Sequence, residues 1–389
     1  MKYVIIGGGI AGTTAAEELR RADADAEITI IEQEEHPLYS KVLLPHYVLG
    51  KVEREKCFLK DEEWYEQNKI ELMLGTRVTK LDTKNKFVET DTAREVPYDK
   101  LLITTGTEPR VIGGEPRGTC YFWTFDDTEH LLHILSEQDS GSSAVVYGGG
   151  FIACEFINIF ANQGLPTTVV LRGKHFWNSI LNDQVGEFFT KHLENNGVKV
   201  LSNTKFKETV GDLELLGVKT DQGTIDCSIM GAAIGQQTDL GWIKDAGIKI
   251  GRGVLTNEYL ETNTEDVFAA GDIAESYDPI AERQYLAGNW GRALMQGRTV
   301  AKNMLGKQTA YQQVSSYAIN VLGLDVSFIG DTSKEAADEV IVRGDEAEGM
   351  TQILIRDNKV VGAAILGRNG DRGPLTRMIQ NQESADSLE

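Results

Sequence analysis

The sequence predicts an α/β protein with two similar parallel-sheet units and a smaller C-terminal α/β unit. A buried strand, a glycine-rich turn and a helical segment follow one another at residues 3–31, and the same order returns at residues 144–171. The strands of both copies are unbroken apolar runs, which is typical of strands covered on both faces of a parallel sheet. From about Tyr311 the pattern changes to alternating short strands without a glycine-rich turn.

The first copy carries the glycine spacing of a dinucleotide-binding turn. Gly7, Gly9 and Gly12 fit the pattern G-x-G-x-x-G directly after the first strand. The first glycine makes the turn, the second lets the backbone approach a pyrophosphate, and the third lets the helix pack on the strand. The helix that begins at Ile10 and Ala11 would direct its positive N-terminal end at the phosphates.

The second strand of the first copy, Ile28–Ile31, ends at Glu32. An acid about twenty residues past the last glycine would hold ribose hydroxyl groups. A bare glycine pattern also occurs in unrelated α/β turns. The strand before it, the helix after it and the acid at this position together predict a Rossmann-like dinucleotide-binding domain.

The second copy has Gly148 and Gly150 in the first two glycine positions and Ala153 in the third. Phe151 and Ile152 begin its helix. The repeat therefore predicts a second dinucleotide-binding domain of the same type.

The strand that ends the second copy is followed by Arg172, with Lys174 and His175 close behind. A carboxylate at this position would hold a free 2′-hydroxyl, whereas an arginine accommodates a 2′-phosphate. We therefore predict that NADPH is used at least as well as NADH. A solvated basic turn is the other interpretation of the same residues.

Composition limits the partners and the compartment. The chain of 389 residues has a formal net charge of −20 and a pI near 4.8, which argues against nucleic acid and membrane as partners. Lys2 leads straight into the first strand, so we expect no signal peptide. The four cysteines are scattered without a C-x-x-C spacing, so we expect no metal site and a cytoplasmic location.

Two further motifs accompany the glycine turns: Thr104-Thr105-Gly106 lies between the two copies, and the segment Val267–Asp272 follows the second copy. The four motifs, in their order along the chain, resemble those of the two-dinucleotide-fold flavoprotein reductases, the pyridine nucleotide-disulfide oxidoreductase superfamily. Within it the chain is most similar to NAD(P)H:rubredoxin and ferredoxin reductases that lack redox cysteines, and to the reductase portion of nitrite reductase. The resemblance implies an FAD-binding domain at residues 1–112 and 236–308, an NAD(P)H-binding domain at 113–235 and a C-terminal interface-type domain at 309–389.

The resemblance also assigns cofactor contacts. Asp272 would hold the FAD ribityl chain, and the helix that starts near Asn289 would face the flavin pyrimidine. Glu155 would lie near the nicotinamide. The full set that it implies for FAD and NAD(P)H comprises Gly7, Gly9, Ile10, Ala11, Gly12, Glu32, Lys41, Thr105, Gly106, Arg110, Gly148, Gly150, Phe151, Ile152, Glu155, Arg172, Gly235, Gly271, Asp272, Asn289 and Trp290.

The segment after Glu32 departs from the disulfide reductases. Val42 stands where related enzymes carry a redox cysteine, and valine has no thiolate. Cys57 lies too far along the chain to substitute without a shift in the loop. Lys41 and His46 would take flavin-side positions, and the lysine–glutamate pair of the ferredoxin-type reductases would become a His46–Glu155 pair. An ordinary loop histidine is the other interpretation of His46.

These features predict an FAD-dependent NAD(P)H oxidoreductase that takes hydride onto flavin N5 and passes electrons to a small redox protein such as rubredoxin or ferredoxin. An NAD(P)H oxidase or a reductase of sulfur or disulfide compounds, with a small-molecule acceptor, is one alternative. A redox sensor similar to apoptosis-inducing factor is another. We expect a monomer or a homodimer.

Overall fold

The computed structural model describes residues 1–388, with all of their side chains except that of Ala336. The helices of this part of the chain are α1 (Ile10–Ala22), α2 (Leu44–Val48), α3 (Glu62–Gln67), α4 (Phe125–Ser136), α5 (Phe151–Asn162), α6 (Asp183–Asn195), α7 (Gly241–Asp245), α8 (Trp290–Met304) and α9 (Arg372–Asn381). The strands are β1 (Lys2–Ile6), β2 (Glu27–Ile31), β3 (Ile70–Met73), β4 (Val78–Asp82), β5 (Phe87–Thr90), β6 (Glu95–Pro97), β7 (Lys100–Ile103), β8 (Glu108–Pro109), β9 (Thr119–Cys120), β10 (Ala144–Tyr147), β11 (Thr167–Val170), β12 (Lys199–Leu201), β13 (Phe206–Val210), β14 (Gly217–Thr220), β15 (Gly223–Asp226), β16 (Ile229–Ala232), β17 (Gln236–Gln237), β18 (Val254–Thr256), β19 (Val267–Ala269), β20 (Ala274–Asp278), β21 (Arg283–Tyr285), β22 (Ser316–Val321), β23 (Leu324–Gly330), β24 (Glu339–Asp345), β25 (Gly349–Arg356) and β26 (Lys359–Leu366).

The chain divides into two compact units. The first unit contains residues 1–43, 52–108 and 237–315, and the second contains residues 44–51, 109–236 and 316–389. The C-terminal block therefore groups with the residues of the predicted NAD(P)H-binding domain. The division into three domains stays a prediction.

The first unit is built on a parallel sheet with the strand order β19-β7-β1-β2-β3. The central strand β1 is buried from Tyr3 to Ile6, because both faces of the sheet are covered. The antiparallel strands β4-β5-β6 form a separate small sheet, and β18-β20-β21 form another. The predicted parallel-sheet unit is confirmed.

The second unit repeats this plan. Its parallel sheet has the order β12-β11-β10-β16-β9, with β10 at the centre, and the antiparallel strands β13-β14-β15 form a small sheet. Residues 316–366 add an antiparallel sheet of order β22-β23-β26-β25-β24, against which α9 packs. The mixed α/β fold class is thus confirmed.

Three helices begin where a local cause places them. Pro45 lies in the first turn of α2, where a missing N–H costs nothing. Helix α6 begins at Asp183, because the side chain of Asn182 accepts a hydrogen bond from the N–H of Val185. Helix α8 begins only at Trp290, since residues 283–285 pair as strand β21.

Candidate dinucleotide-binding sites

The glycine turn after β1 has the backbone that the motif requires. Gly7 has φ +106°, and a Cβ at this position would lie 2.4 Å from the carbonyl oxygen of Thr104. A Cβ on Gly12 would lie 2.1 Å from the carbonyl oxygen of Gly7. A Cβ on Gly9, in contrast, would meet no atom within 4 Å. The first and third glycines are therefore needed for packing, and the second lies at an open cradle that fits a pyrophosphate.

Helix α1 starts from this cradle. Its N-cap residue is Gly9, which offers no side-chain cap, so the first turn containing Ile10 and Ala11 presents backbone N–H groups and the positive end of the helix dipole. Thr104 fixes the turn from the neighbouring strand, because its hydroxyl donates to the carbonyl oxygens of Ile6 and Gly7 at 3.0 and 2.9 Å. Thr105 and Gly106 follow directly, the latter with φ +67°.

Glu32 lies beside the turn, at the end of β2. Its Oε2 accepts a hydrogen bond from the N–H of Gly8 at 2.5 Å, and its Oε1 accepts one from the N–H of Glu34 at 2.9 Å. Burial raises the pKa of the Glu32 carboxyl, and the two backbone donors and Lys41 oppose that rise. The acid thus stands next to the cradle, as a ribose-binding acid must.

Lys41 connects this acid to a second carboxylate. Its ammonium lies 3.6 Å from the Glu34 carboxylate, and its charge lowers the pKa of both Glu32 and Asp272. Burial has the larger effect on Asp272 and raises its pKa. The Lys41 ammonium therefore interacts with three carboxyl groups. Two of them, those of Glu32 and Asp272, are predicted from the sequence to bind FAD.

Asp272 is held at the start of a short turn by its neighbour. The N–H of Gly271 donates to the side-chain oxygen of Gln296 in α8 at 2.8 Å. Helix α8 itself begins at a polar cap, where the Asn289 side chain accepts from the N–H of Arg292 at 2.8 Å. Trp290 is the first residue of the helix and is partly buried. Sequence reasoning assigned no role to Arg292, because its burial, which is unusual for an arginine, is set by the tertiary structure.

The second glycine turn repeats the geometry of the first. Gly148 has φ +130°, and a Cβ there would lie 2.0 Å from the carbonyl oxygen of Ala233. A Cβ on Gly150 would meet no atom within 4 Å, and this residue begins α5 without a side-chain cap. Ala153, which replaces the third glycine, is fully buried. The second cradle is therefore also open to a pyrophosphate.

The three basic residues after β11 differ in their surroundings. Arg172 is exposed and has no hydrogen bond or ion pair within residues 1–388. The Lys174 ammonium lies 2.8 Å from Asp183 and 2.9 Å from Glu187. His175 is buried, and its Nε2 lies 3.3 Å from Asp183. Of the three, Arg172 is the group that an incoming anion would find unengaged.

Glu155 lies one turn into α5. Burial raises the pKa of its carboxyl to about 7, and no opposing charge offsets this rise. The Phe151 ring, at the start of the same helix, lies 4.0 Å from the Tyr317 ring between centroids. Burial and the nearby Glu155 raise the pKa of the Tyr317 hydroxyl. Ile152 follows Phe151 in the sequence and is partly buried.

The predicted His46–Glu155 pair is not formed. His46 is exposed in α2, and no hydrogen bond or ion pair joins it to Glu155 in the described residues. The next residue, Tyr47, anchors α2 instead: its hydroxyl donates to Glu129 at 3.0 Å and its ring stacks on Phe125. The helix that supplies these two partners, α4, was missed in the sequence, although Thr124 and Asp127 form a capping box at its start.

Arg110 and Gly235 lie together. The N–H of Arg110 donates to the carbonyl oxygen of Gly235 at 3.0 Å, and its guanidinium donates to the carbonyl oxygen of Gln236. The Arg110 side chain is thus engaged with the backbone of Gln236. Its contact with FAD stays a prediction.

The cysteines are all free and buried. Burial raises the pKa of Cys120 and of Cys227 to about 12, and it also raises that of Cys154. The backbone of Cys57 adjoins the loop that carries Val42, because its carbonyl accepts from the N–H of Ser40, but its side chain is fully buried. A buried thiol with a high pKa is a poor nucleophile.

Metal-binding clusters and membrane-spanning helices are both absent from residues 1–388. No group of three or more histidine, cysteine or carboxylate side chains is arranged to hold a metal ion there. Within the same residues, none of the helices combines the length and apolarity that a membrane crossing requires.

Two parallel sheets, each with an open glycine cradle at the end of its central strand, define a protein that binds two dinucleotides. Residues 1–297 match the family described as pyridine nucleotide-disulphide oxidoreductase. The chain belongs to this family, and it is an NAD(P)H-dependent flavoprotein oxidoreductase that uses FAD with NADH or NADPH.

Similar proteins of known sequence include reductases from several bacteria. The chain is 31% identical over 391 residues to nitrite reductase (NAD(P)H) of Bacillus subtilis, covering 98% of this chain but only 47% of that protein. It is 28% identical to the biphenyl dioxygenase system ferredoxin–NAD(+) reductase component of Paraburkholderia xenovorans, covering 98% of this chain and 94% of the relative. The chain therefore spans about half of the first relative and nearly all of the second.

Solved structures agree with the fold. NADH:rubredoxin oxidoreductase from Clostridium acetobutylicum has a TM-score of 0.83 at 25% identity, covering all of this chain and 97% of that one. The putidaredoxin reductase–putidaredoxin complex has a TM-score of 0.91 at 22% identity, covering 98% and 93%. The second likeness shows the shared fold alone.

Proposed function

We propose that this protein is an FAD-dependent NAD(P)H reductase that passes electrons to a small redox protein of the rubredoxin or ferredoxin type without a redox-active cysteine. The observation that carries the proposal is the chemistry of the loop after Glu32. Val42 is 54% exposed there, while the nearest thiol, Cys57, is fully buried. A disulfide substrate would need an accessible thiolate at this loop.

On the FAD side, we assign the pyrophosphate to the cradle formed by Gly7, Gly9 and Gly12. Glu32 would hold the adenosine ribose, because its carboxylate already lies against the turn through the N–H of Gly8. Asp272 would hold the ribityl chain, and the charges of Lys41 and Arg292 oppose the rise in its pKa that burial causes. Thr105, Gly106, Arg110, Asn289 and Trp290 remain predicted contacts of the same cofactor.

On the NAD(P)H side, Gly148 and Gly150 would hold the pyrophosphate. Arg172 would pair with a 2′-phosphate, which the exposure of its guanidinium and the absence of a competing carboxylate within residues 1–388 support. Glu155 would lie near the nicotinamide. With a pKa of about 7, its carboxyl can hold or release a proton at physiological pH.

When bound, FAD supplies the hydride acceptor and the means to release electrons singly. The chain contributes binding, orientation and electrostatics. The names of the relatives favour a protein as the acceptor, since those reductases act on ferredoxin or rubredoxin. A cytoplasmic location and a monomer or homodimer complete the proposal, and the four buried free thiols support a reducing compartment.

Anaerobic turnover tests the acceptor directly. The yellow holoprotein is mixed with NADPH or NADH, and the flavin absorbance is followed before and after addition of rubredoxin, ferredoxin, coenzyme A disulfide or oxygen. We expect bleaching by both nucleotides and fast reoxidation by rubredoxin or ferredoxin. Fast reoxidation by coenzyme A disulfide alone would reject the proposal, as would a flavin spectrum that ignores both nucleotides.

Oxygen is the second candidate acceptor. The NADH oxidase of Methanocaldococcus jannaschii is 28% identical over 393 residues, covering 94% of this chain and 88% of that protein. Because no cysteine is accessible beside Val42, we expect oxygen to be reduced to hydrogen peroxide rather than to water. Peroxide assay during aerobic turnover distinguishes the two products, and turnover faster with oxygen than with any protein acceptor would favour the oxidase.

A further inference from the structure

A buried arginine lies in the first turn of helix α8, on the side of the helix that faces the core of the first unit. Arg292 is 3% exposed, and its Nη2 donates to the hydroxyl of Ser276 at 2.8 Å. Its Nη1 lies 3.6 Å from Oδ2 of Asp278. The guanidinium also lies near two rings, 5.3 Å from the centroid of Tyr285 and 5.0 Å from that of Tyr311.

This arginine reaches the predicted FAD segment through a continuous polar chain. The hydroxyl of Ser276 also accepts from Nε2 of Gln296 at 3.2 Å. The side-chain oxygen of Gln296 in turn accepts from the N–H of Gly271 at 2.8 Å. Ser276 and Gln296 are fully buried. Each link is a hydrogen bond that is shielded from water. The loss of one partner therefore leaves the other partner unsatisfied.

The hydrogen-bond network joins the start of α8 to the Gly271–Asp272 segment, and both of these face the cofactor in the proposed function. Arg292 lies in the first turn of α8, next to the cap formed by Asn289. At the other end, Gly271 directly precedes Asp272, whose pKa the charge of Arg292 helps to lower. Asp278 is fixed independently, because it accepts from the N–H groups of Ile280 and Ala281.

We propose that Arg292 is a positioning residue for FAD: it holds the start of α8 and the Gly271–Asp272 segment in one geometry and adds a buried positive charge beside them. The inference rests on the proposed FAD contacts of Asp272 and α8. A positive charge and a helix N-terminus both favour the more negative, reduced form of a bound flavin. Arg292 therefore strengthens FAD binding and raises the midpoint potential.

Replacement of Arg292 by methionine and by lysine separates the two effects. We expect Arg292→Met to weaken FAD binding by at least about tenfold, because charged hydrogen bonds are lost from a buried site. The midpoint potential should fall, and a tenfold preference between the two flavin states corresponds to about 30 mV for a two-electron couple. Arg292→Lys keeps the charge but not the planar fork, so it should restore most of the potential and little of the affinity.

The measurements are FAD release from the holoprotein, followed by flavin fluorescence, and spectroelectrochemical titration. Arg298→Met is the matched control, since Arg298 is an exposed residue of the same helix. If Arg292→Met does not fold, Ser276→Ala breaks the same chain with a smaller change and should weaken FAD binding by about threefold. Affinity and potential within twofold and a few millivolts of the wild type, in whichever variant folds, would overturn the positioning role. Failure of NAD(P)H to bleach the wild-type flavin would reject the proposed function instead, and it would leave the effect of Arg292 on FAD affinity unchanged.

Discussion

The two glycine turns of this protein have the same backbone but opposite charges at the next strand end. In the first unit, Glu32 is partly buried and bonded to the N–H of Gly8. In the second unit, Arg172 is exposed and bonded to nothing within residues 1–388. The fold thus supplies the pyrophosphate cradle twice, and a single residue type distinguishes what each cradle can hold beyond the pyrophosphate.

The Glu32 carboxylate is already hydrogen-bonded to the backbone of its own turn, whereas the Arg172 guanidinium has no partner within residues 1–388. Because Glu32 already accepts two backbone hydrogen bonds, its carboxylate is preorganised before any ligand arrives. Arg172 must be ordered when its ligand binds, which costs side-chain entropy. We therefore expect the first site to hold its cofactor permanently and the second to exchange its nucleotide during turnover.

Alanine in the first glycine of each turn should produce the largest and the most contrasting effects. Gly7→Ala places a Cβ 2.4 Å from the Thr104 carbonyl at φ +106°, and positive φ alone costs about 1–3 kcal/mol, so we expect FAD binding to weaken more than about 100-fold. Gly148→Ala should leave FAD bound and abolish reduction by NAD(P)H. FAD content and anaerobic bleaching measure the two outcomes.

Gly370→Ala is the control for these variants, because a Cβ there meets no atom within 4 Å and its φ is not in the left-handed region. Loss of FAD from the Gly148 variant, or normal bleaching of it by NADPH, would contradict the assignment of separate sites.

Glu155 should make the protein less stable as pH rises. Its pKa of about 7 in the folded state exceeds the ordinary value of 4.5, so the folded state binds more protons than the unfolded state between these values. The free energy of unfolding must then fall as pH rises through this window. Relative to Glu155→Gln, the wild type should lose roughly 3 kcal/mol between pH 4.5 and pH 8.

Denaturant unfolding of both proteins at a series of pH values measures this difference. Glu194→Gln serves as the control, because this glutamate is exposed. If the difference in the free energy of unfolding between wild type and Glu155→Gln does not change with pH, the pKa of Glu155 is not raised in the folded protein and the prediction is wrong.

Arg172 should give a smaller effect that is confined to one nucleotide. Arg172→Glu should raise the KM for NADPH by about tenfold to 100-fold, because a charge-assisted contact is lost and a repulsion is added, while NADH changes little. Lys174→Met is the matched control: its ammonium is already paired with Asp183 and Glu187, so we expect a change within about twofold. Equal effects of Arg172→Glu on both nucleotides would remove the phosphate role.

Blocking the thiols should have the smallest effect. Since all four cysteines are buried, we expect native protein treated with iodoacetamide to keep its activity within about twofold. Mass spectrometry should find the thiols unmodified until the chain is denatured. Rapid modification of Cys57 with loss of activity would restore a redox role for that residue, and dithionite titration beyond two electrons per flavin would do the same.

Local sequence was enough for elements whose cause is local. The two glycine turns, the apolar central strands and the position of Glu32 followed from residue type and spacing, because only glycine adopts these positive φ values beside a neighbouring backbone. Helix α4 was missed despite its capping box. The expected His46–Glu155 pair is not formed, because a resemblance over a short segment does not determine how the side chains of two different helices lie relative to each other.

The sequence by itself determined the two dinucleotide folds, the absence of a thiol at position 42 and the exchange of an acid for an arginine between the two copies. Only the tertiary structure decided which charged groups are engaged: that Lys174 is paired and Arg172 is not, that Glu155 is partly buried without a counter-charge, and that Arg292 joins Ser276 to α8. The physical reason is the separation along the chain of the residues that determine each feature. Backbone conformation depends on neighbours in sequence, whereas burial and ion pairing depend on groups that the fold brings together from distant parts of the chain.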